Sequence, residues 1–338
     1  MLEANKKVLG FGEIMLRLTP SNNQKIIQSN SFDATYGGGE ANVVASLATF
    51  GHDTKYVTKL PDSSLGDKVI RDLKAYNVDT KDIVLGDGRL GIYFLEIGHG
   101  LRSTEVIYDR KYSAISMASK DEFDIEKMLE GVSMVHLSGI TPALSKDLYD
   151  LTIAIAKYAK QTGILISLDS NYRAKLWSLG DAKGFLEEIL PYVDIAFLGN
   201  LDMTNILNYE SKDLEFDDNL LDLYKRLFEK YPNLKYASCT RREVKSINNN
   251  SLTGYLFDRE NLHISNTHNF DILDRVGGGD AYTAGILHGI IEGMKPQDVV
   301  EFGVCASALK HSIRGDINIV DKDSVMSLLE KGLQNIKR

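Results

Sequence analysis

The segment best suited to chemistry is Asp274-Arg275-Val276-Gly277-Gly278-Gly279-Asp280-Ala281-Tyr282-Thr283-Ala284-Gly285. Three glycines run straight into a helical stretch of small residues. A helix start presents unpaired N–H groups and a partial positive charge. Glycine lets a phosphate come close to that backbone. The amides of Gly277, Gly278 and Gly279 can therefore cradle a transferring phosphoryl group. An acid at the end of a loop that only bound phosphate would repel its ligand. Asp280 makes sense instead as a base that accepts the proton of an attacking hydroxyl. The plainer alternative is an ordinary N-cap aspartate after a glycine-rich turn. The segment is not a Walker A motif, which needs Gly-Lys-Ser/Thr.

A second cluster, Gly37-Gly38-Gly39, precedes the small-residue run Glu40–Phe50. Such glycines bring backbone close to a polyol, and Asn42 offers both a donor and an acceptor to a hydroxyl. A tight strand-to-helix turn is the alternative. Further on, Tyr108, Arg110 and Tyr112 alternate and so should share one strand face, with Tyr93 on the partner strand. Arginine binds a carboxylate in a bidentate manner, and tyrosines add hydroxyl hydrogen bonds. Arg173 lies in the loop Asp169-Ser170-Asn171-Tyr172-Arg173. Two convergent arginines point to an acidic substrate. A lid-surface salt bridge for Arg110, and pairing with Asp169 for Arg173, are the competing readings.

The elements that must position these residues follow from periodicity. Val8–Leu18 and Tyr56–Leu60 read as strands, and Gly66–Tyr76 as a helix. Leu90–Ile97 and Thr104–Tyr112, separated by Gly98-His99-Gly100, read as a hairpin. From residue 120, helices Ile125–Glu130, Lys146–Thr162, Ala182–Leu190 and Asn219–Lys230 alternate with strands Met134–Leu137, Ile164–Leu168, Ile195–Leu198 and Tyr236–Thr240. The last third reads as helices Gly279–Glu292, Pro296–Ser312 and Lys322–Leu333. Such alternation predicts an α/β fold with a doubly wound, mostly parallel sheet. Residues 1–14, 37–88 and 113–338 would form its core, and 15–36 and 89–112 a small β lid. Ligands belong at the carboxyl ends of parallel strands, where Ser138-Gly139, Asp169–Arg173, Gly199-Asn200 and Thr240-Arg241 fall.

Asp274–Leu287 resembles the C-terminal signature of the ribokinase-like, pfkB-type carbohydrate kinases. Gly37-Gly38-Gly39-Glu40-Ala41-Asn42-Val43-Val44-Ala45, with Gly51 beyond, resembles their N-terminal signature. The resemblance covers essentially the whole chain. It implies ATP and Mg²⁺ as cosubstrates, Asp280 as catalytic base, and the amides of Gly277, Gly278 and Gly279 as anion hole. A monovalent cation such as K⁺ accompanies that anion hole in many relatives. Gly91-Ile92-Tyr93, Tyr108-Asp109-Arg110 and the run from Asp169 to Trp177 are similar to the 2-keto-3-deoxygluconate kinases. That subfamily implies that Tyr93, Tyr108, Arg110 and Arg173 contact a sugar acid, with Gly38 and Ile140 nearby and a 6-phosphate as product. Asn200, Thr240, Gly277 and Gly279 become the nucleotide-site candidates.

The chain departs from the family at two places. The usual Asn-x-x-Glu is Asn200-Leu201-Asp202-Met203, which leaves the metal-supporting acid unassigned. The expected nucleotide-loop glycine is missing from Cys239-Thr240-Arg241-Arg242-Glu243. A solvated charge run is the commoner meaning of that stretch.

A net charge of −8 gives no support for nucleic-acid or membrane-surface binding. Two distant cysteines, no zinc-ligand spacing, and no signal-peptide or transmembrane pattern predict a cytoplasmic protein. Three other readings remain: a kinase of fructose, ribose or a nucleoside; a non-catalytic sugar-binding protein; and a dinucleotide oxidoreductase, which lacks GxGxxG spacing. Ile92, Phe94 and Ile107 on the outer lid face would allow homo-oligomers through the lid.

Overall fold

Val8 and Leu9 are both fully buried yet face opposite sides of one strand. The same alternation recurs at Met134 and Val135, so the sheet must be covered on both faces. The computed structural model describes residues 7–332. Residues 1–6 of the N-terminal stretch read for a leader, the last residue of the expected helix Lys322–Leu333, and the outermost residues of the expected core lie outside the described residues.

The strands are β1 (Lys7–Phe11), β2 (Met15–Pro20), β3 (Phe32–Gly37), β4 (Thr54–Val57), β5 (Lys59–Pro61), β6 (Val78–Asp79), β7 (Val84–Gly86), β8 (Ile92–Glu96) and β9 (Glu105–Asp109). They continue with β10 (Val132–Ser138), β11 (Leu165–Asp169), β12 (Ile195–Phe197), β13 (Tyr236–Ser246), β14 (Asn249–Phe257), β15 (Leu262–Ile264) and β16 (His268–Asp271). The helices are α1 (Gly39–Thr49), α2 (Ser64–Ala75), α3 (Ile125–Leu129), α4 (Lys146–Thr162), α5 (Leu179–Ile189), α6 (Phe216–Lys230), α7 (Gly278–Glu292), α8 (Pro296–Lys310) and α9 (Lys322–Lys331).

The large sheet has the order β15-β14-β13-β12-β11-β10-β1-β4-β6, with β16 also on β14. It is parallel from β6 through β13 and antiparallel beyond. Helices α3–α6 cover one face, and α1, α7, α8 and α9 pack on the other. This is the doubly wound α/β arrangement expected. A separate four-stranded sheet, β3-β2-β8-β9, stands beside it.

Several local expectations are corrected. Val8–Leu18 is two strands in different sheets, because the chain turns at Gly12-Glu13-Ile14. A Cβ on Gly12 would lie 2.3 Å from the Glu40 carboxylate, so this turn must be glycine. Tyr56–Leu60 is likewise shared between β4 and β5. Tyr112 does not share a face with Tyr108, since β9 ends at Asp109 and Tyr112 adopts φ 59° with its ring exposed. β13 runs on to Ser246 and pairs with β14, so Arg241–Val244 form an exposed antiparallel arm rather than a loop.

Candidate active site

The strand order reverses between β1 and β10, where a crevice must open at the carboxyl ends. The segments leaving those ends are Gly12-Glu13, Ser138–Ile140, Asp169–Arg173 and Gly199–Asp202. The glycine turn opening α7 faces them. Gly277 caps that helix with φ 80°, and a Cβ there would sit 1.8 Å from the Asp316 carbonyl oxygen. Both facts demand glycine. The Gly278 amide points to the Arg275 carbonyl at 3.4 Å, so it is already engaged within the turn. Gly279 opens onto a large cleft.

Asp280 is half-buried in the first turn of α7 and lines a smaller cavity. The Asn42 side-chain amide donates to its Oδ2 at 2.6 Å. Burial pushes the Asp280 carboxyl up to about 6, against the pull of Asn42 and Arg173. Asn42 is fixed by the start of α1, where buried Glu40 accepts from Ser138 Oγ (2.6 Å) and Thr141 Oγ1 (2.8 Å). Those bonds dock the helix onto the end of β10 and set Ile140 in the cavity wall. Gly38 packs against the Glu13 backbone, where a Cβ would be 1.9 Å from the carbonyl oxygen.

The smaller cavity brings together Gly38, Asn42, Tyr93, Tyr108, Arg110, Ile140, Arg173 and Asp280. Glu13 also lines it, buried, with Oε2 accepting from Arg110 Nε at 2.8 Å and from Nη2, and Oε1 from Ser113 Oγ at 2.6 Å. Arg110 is therefore paired inside the wall, not on the lid surface. The Tyr93 and Tyr108 rings lie 5.9 Å apart, and the Arg110 guanidinium lies 5.7 Å from the Tyr108 ring centre. The Tyr93 hydroxyl donates to Asp316 Oδ2, which leaves it an acceptor toward the cavity. Arg173 is exposed at the mouth shared by both cavities, where its charge favours ionised Asp169 and Asp280.

The larger cleft, about 820 Å³, is lined by Asp169, Arg173, Gly199, Asp202, Thr240 and Gly279, among others. Asn200 stands outside its wall, its Oδ1 accepting from Asn219 Nδ2 at 3.2 Å. Arg241 is turned onto the Phe216 ring, 4.6 Å from its centre. Asp202, opening a short π-type turn, accepts from the Gly199 amide at 2.7 Å. Burial and the neighbouring Asp280 and Asp202 push the Asp169 carboxyl up to about 7. The cleft thus holds negative charge that a bound cation would relieve.

A model of the pfkB family of carbohydrate kinases matches residues 5–323. The chain belongs to that family. It is an ATP-dependent carbohydrate kinase by chemistry, and its fold is ribokinase-like. One relative is the 2-dehydro-3-deoxygalactonokinase of Haloferax volcanii, 30% identical over 98% of this chain and 99% of its own. The crystal structure of the 2-dehydro-3-deoxygluconokinase of Thermotoga maritima has a TM-score of 0.93 at 40% identity, covering 96% of this chain and 99% of that one. An Escherichia coli chain solved with ATP and Mg²⁺ shares the fold, with a TM-score of 0.82 at 17% identity over 96% of this chain and 99% of its own.

Three residues at or behind this pfkB site carry no motif of their own: Glu13, Arg17 and Asp316. Glu13 alone had a sequence signal, a charge inside the apolar run Val8–Met15. A buried charge needs a partner, and its partner is Arg110, 97 residues away.

Proposed function

We propose that this kinase transfers the γ-phosphoryl group of ATP to the terminal hydroxyl of a 2-keto-3-deoxy sugar acid of the gluconate type, giving its 6-phosphate. One observation carries the reading. Asp280 lines a polyol-sized cavity, while Gly279, its neighbour in the turn, opens onto a nucleotide-sized cleft. Arg110 and Arg173 line the same cavity as Asp280, which favours an acid over a neutral sugar, as do the activities of the two relatives named. Glu13 engages Nε and Nη2 of Arg110 and leaves Nη1 for the substrate.

In this mechanism the β2-β3-β8-β9 sheet is the lid (residues 15–36 and 89–112) over the core formed by 1–14, 37–88 and 113–338. Arg110 and Arg173 hold the carboxylate end. Tyr93 accepts from a substrate hydroxyl, with Gly38, Ile140 and Tyr108 shaping the cavity. Asp280, oriented by Asn42, accepts the proton of the attacking hydroxyl as it adds to the γ-phosphorus. The Gly277 and Gly279 amides serve the phosphates, and Thr240 contacts the nucleotide.

The acids of the larger cleft fit Mg²⁺, which binds through one or two carboxylates and phosphate oxygens. Asp169 and Asp202 would hold it, and the ion would neutralise charge on the phosphates. A K⁺ ion behind the turn does not fit. The fully buried Lys310 ammonium already stands there as the cation, donating to the Ile313 carbonyl, and Arg17 holds the Asp274 and Asp316 carboxylates.

Among the described residues no helix is long and apolar enough to cross a membrane, and both cysteines are free and buried. These features favour a cytoplasmic setting. Ile107 on edge strand β9 is exposed, which supports pairing of lids between two copies, whereas Phe94 packs on Phe32 of its own lid. An ATP-coupled screen tests the main reading. Turnover should be highest with 2-keto-3-deoxygluconate or its galactonate epimer. Higher kcat/KM with fructose, ribose or a nucleoside would overturn the sugar-acid assignment.

A further inference from the structure

The turn that opens α7 rests on a buried group of charges. Arg17 in β2, 2% exposed, donates Nη2 to Asp274 Oδ2 (2.5 Å) and Nη1 to Asp316 Oδ1 (2.9 Å). Its Nε donates to Thr19 Oγ1 at 2.8 Å. Asp274 also accepts from the Val276 and Gly315 amides at 3.1 and 3.0 Å, which shapes the turn itself. The other Asp316 oxygen accepts from Tyr93. Two carboxylates therefore share one guanidinium.

Lys310, the last residue of α8, is fully buried behind the same turn. Its Nζ donates to the Ile313 carbonyl at 3.1 Å, and its Cε lies 3.3 Å from where a Gly277 Cβ would be. The balance of charge decides what this lysine does. Arg17 with Asp274 and Asp316 sums to −1, directly behind the place a triphosphate must enter. A buried uncompensated charge is costly, and one beside an incoming polyanion also opposes binding. The Lys310 ammonium brings the sum to zero. Burial, with Arg17, lowers its proton affinity below that of a free lysine, and Asp274, Asp316 and Asp280 hold against that fall.

We infer that Lys310 is a positioning residue of the phosphoryl turn: its buried ammonium cancels the second carboxylate of the Asp274–Asp316 pair, so the turn accepts the triphosphate without a dissociable cation behind it. This rests on the kinase reading above. Lys310 acts through the turn and touches neither substrate, so its test needs readouts that a packing role would leave unchanged.

The test compares wild type with Lys310→Met and Lys310→Arg. Thermal melting first establishes the temperature at which each variant is folded. Calorimetry with a non-hydrolysable ATP analogue should show roughly tenfold weaker binding for Lys310→Met, with Lys310→Arg recovering most of it. The kcat of Lys310→Met should fall by about ten- to a hundredfold. The acid limb of its kcat profile should move to higher pH, because Asp280 loses a favourable charge. Arg173 would remain as a favourable charge, and Asp316 and Glu40 as unfavourable ones. Wild-type rates should be equal in K⁺ and choline chloride. A folded Lys310→Met with wild-type analogue affinity and pH profile would overturn the inference, as would K⁺ activation of wild type beyond about twofold. Analogue binding needs no sugar. If wild type phosphorylates none of the sugars, the proposed function fails while the calorimetric comparison still judges Lys310.

Discussion

The Asn42 side-chain amide reaches Asp280 Oδ2 across 2.6 Å and so joins two helix starts that lie 238 residues apart in sequence. The donor aims the carboxylate and also sets its charge state. A hydrogen bond to the ionised form lowers a pKa, and this one opposes the burial that raises it.

Replacing the base tests this directly. Asp280→Asn should reduce kcat by about three orders of magnitude with little change in KM for either substrate. Steady-state kinetics decide the point, and near-normal turnover would remove Asp280 from the role.

Asn42→Leu should act through pH. Without its donor the Asp280 carboxyl rises above about 6, so the acid limb of kcat shifts to higher pH. In wild type, turnover should fall as pH drops through about 6, since the base must be ionised. A pH–rate series on both proteins checks the direction, and superimposable acid limbs would contradict it.

The two arginines should separate stability from binding. Arg110→Ala leaves the Glu13 carboxylate buried without its charge partner and should cost about 3 kcal/mol of folding stability. Exposed Arg173→Ala should leave the melting temperature nearly unchanged. It should raise KM for sugar acids by about tenfold and spare neutral sugars. Denaturant melts and a substrate panel read the two effects.

Asp169→Asn should stabilise the protein at neutral pH while lowering activity. The folded-state value of about 7 exceeds the usual carboxylate value of 3.8, so between those values the folded chain binds more protons than the unfolded one. Stability from this group is present at low pH and declines as pH rises toward 7. Removing the charge should return up to about 4 kcal/mol at pH 7 and less than about 1 kcal/mol at pH 4. Melting curves at both pH values are the check.

Gly277→Ala combines a left-handed backbone with a contact 1.8 Å from the Asp316 carbonyl. It should destabilise by about 2 kcal/mol or more. Gly279→Ala meets no atom within 4 Å of its Cβ in the protein. Its effect should therefore appear in KM for ATP and not in the melting temperature.

How much of this was legible in the sequence depended on distance along the chain. α4 follows its apolar spacing and a serine cap from Lys146 to Thr162. The two glycine clusters mark their turns because a Cβ at either place meets backbone. The strand β14, with its polar start Asn249-Asn250-Ser251 and internal Gly254, shows no alternation of the kind that marks a strand. Half of its partner β13 is exposed and charged, which imitates a solvated loop. Glu13, Arg17 and Asp316 escaped for another reason. Each is explained by a charge brought near only when the chain closes, such as the 299-residue span from Arg17 to Asp316.

The passage from β1 to β2 has a mechanical outcome. Only Gly12, Glu13 and Ile14 separate a strand of the large sheet from one of the small sheet. That link is one of the chain's crossings between the two sheets, and its Glu13 is the residue gripping Arg110. With the small sheet as the proposed lid, one residue belongs to both the link and the latch, so a substitution at Glu13 should change lid opening and sugar-acid affinity together.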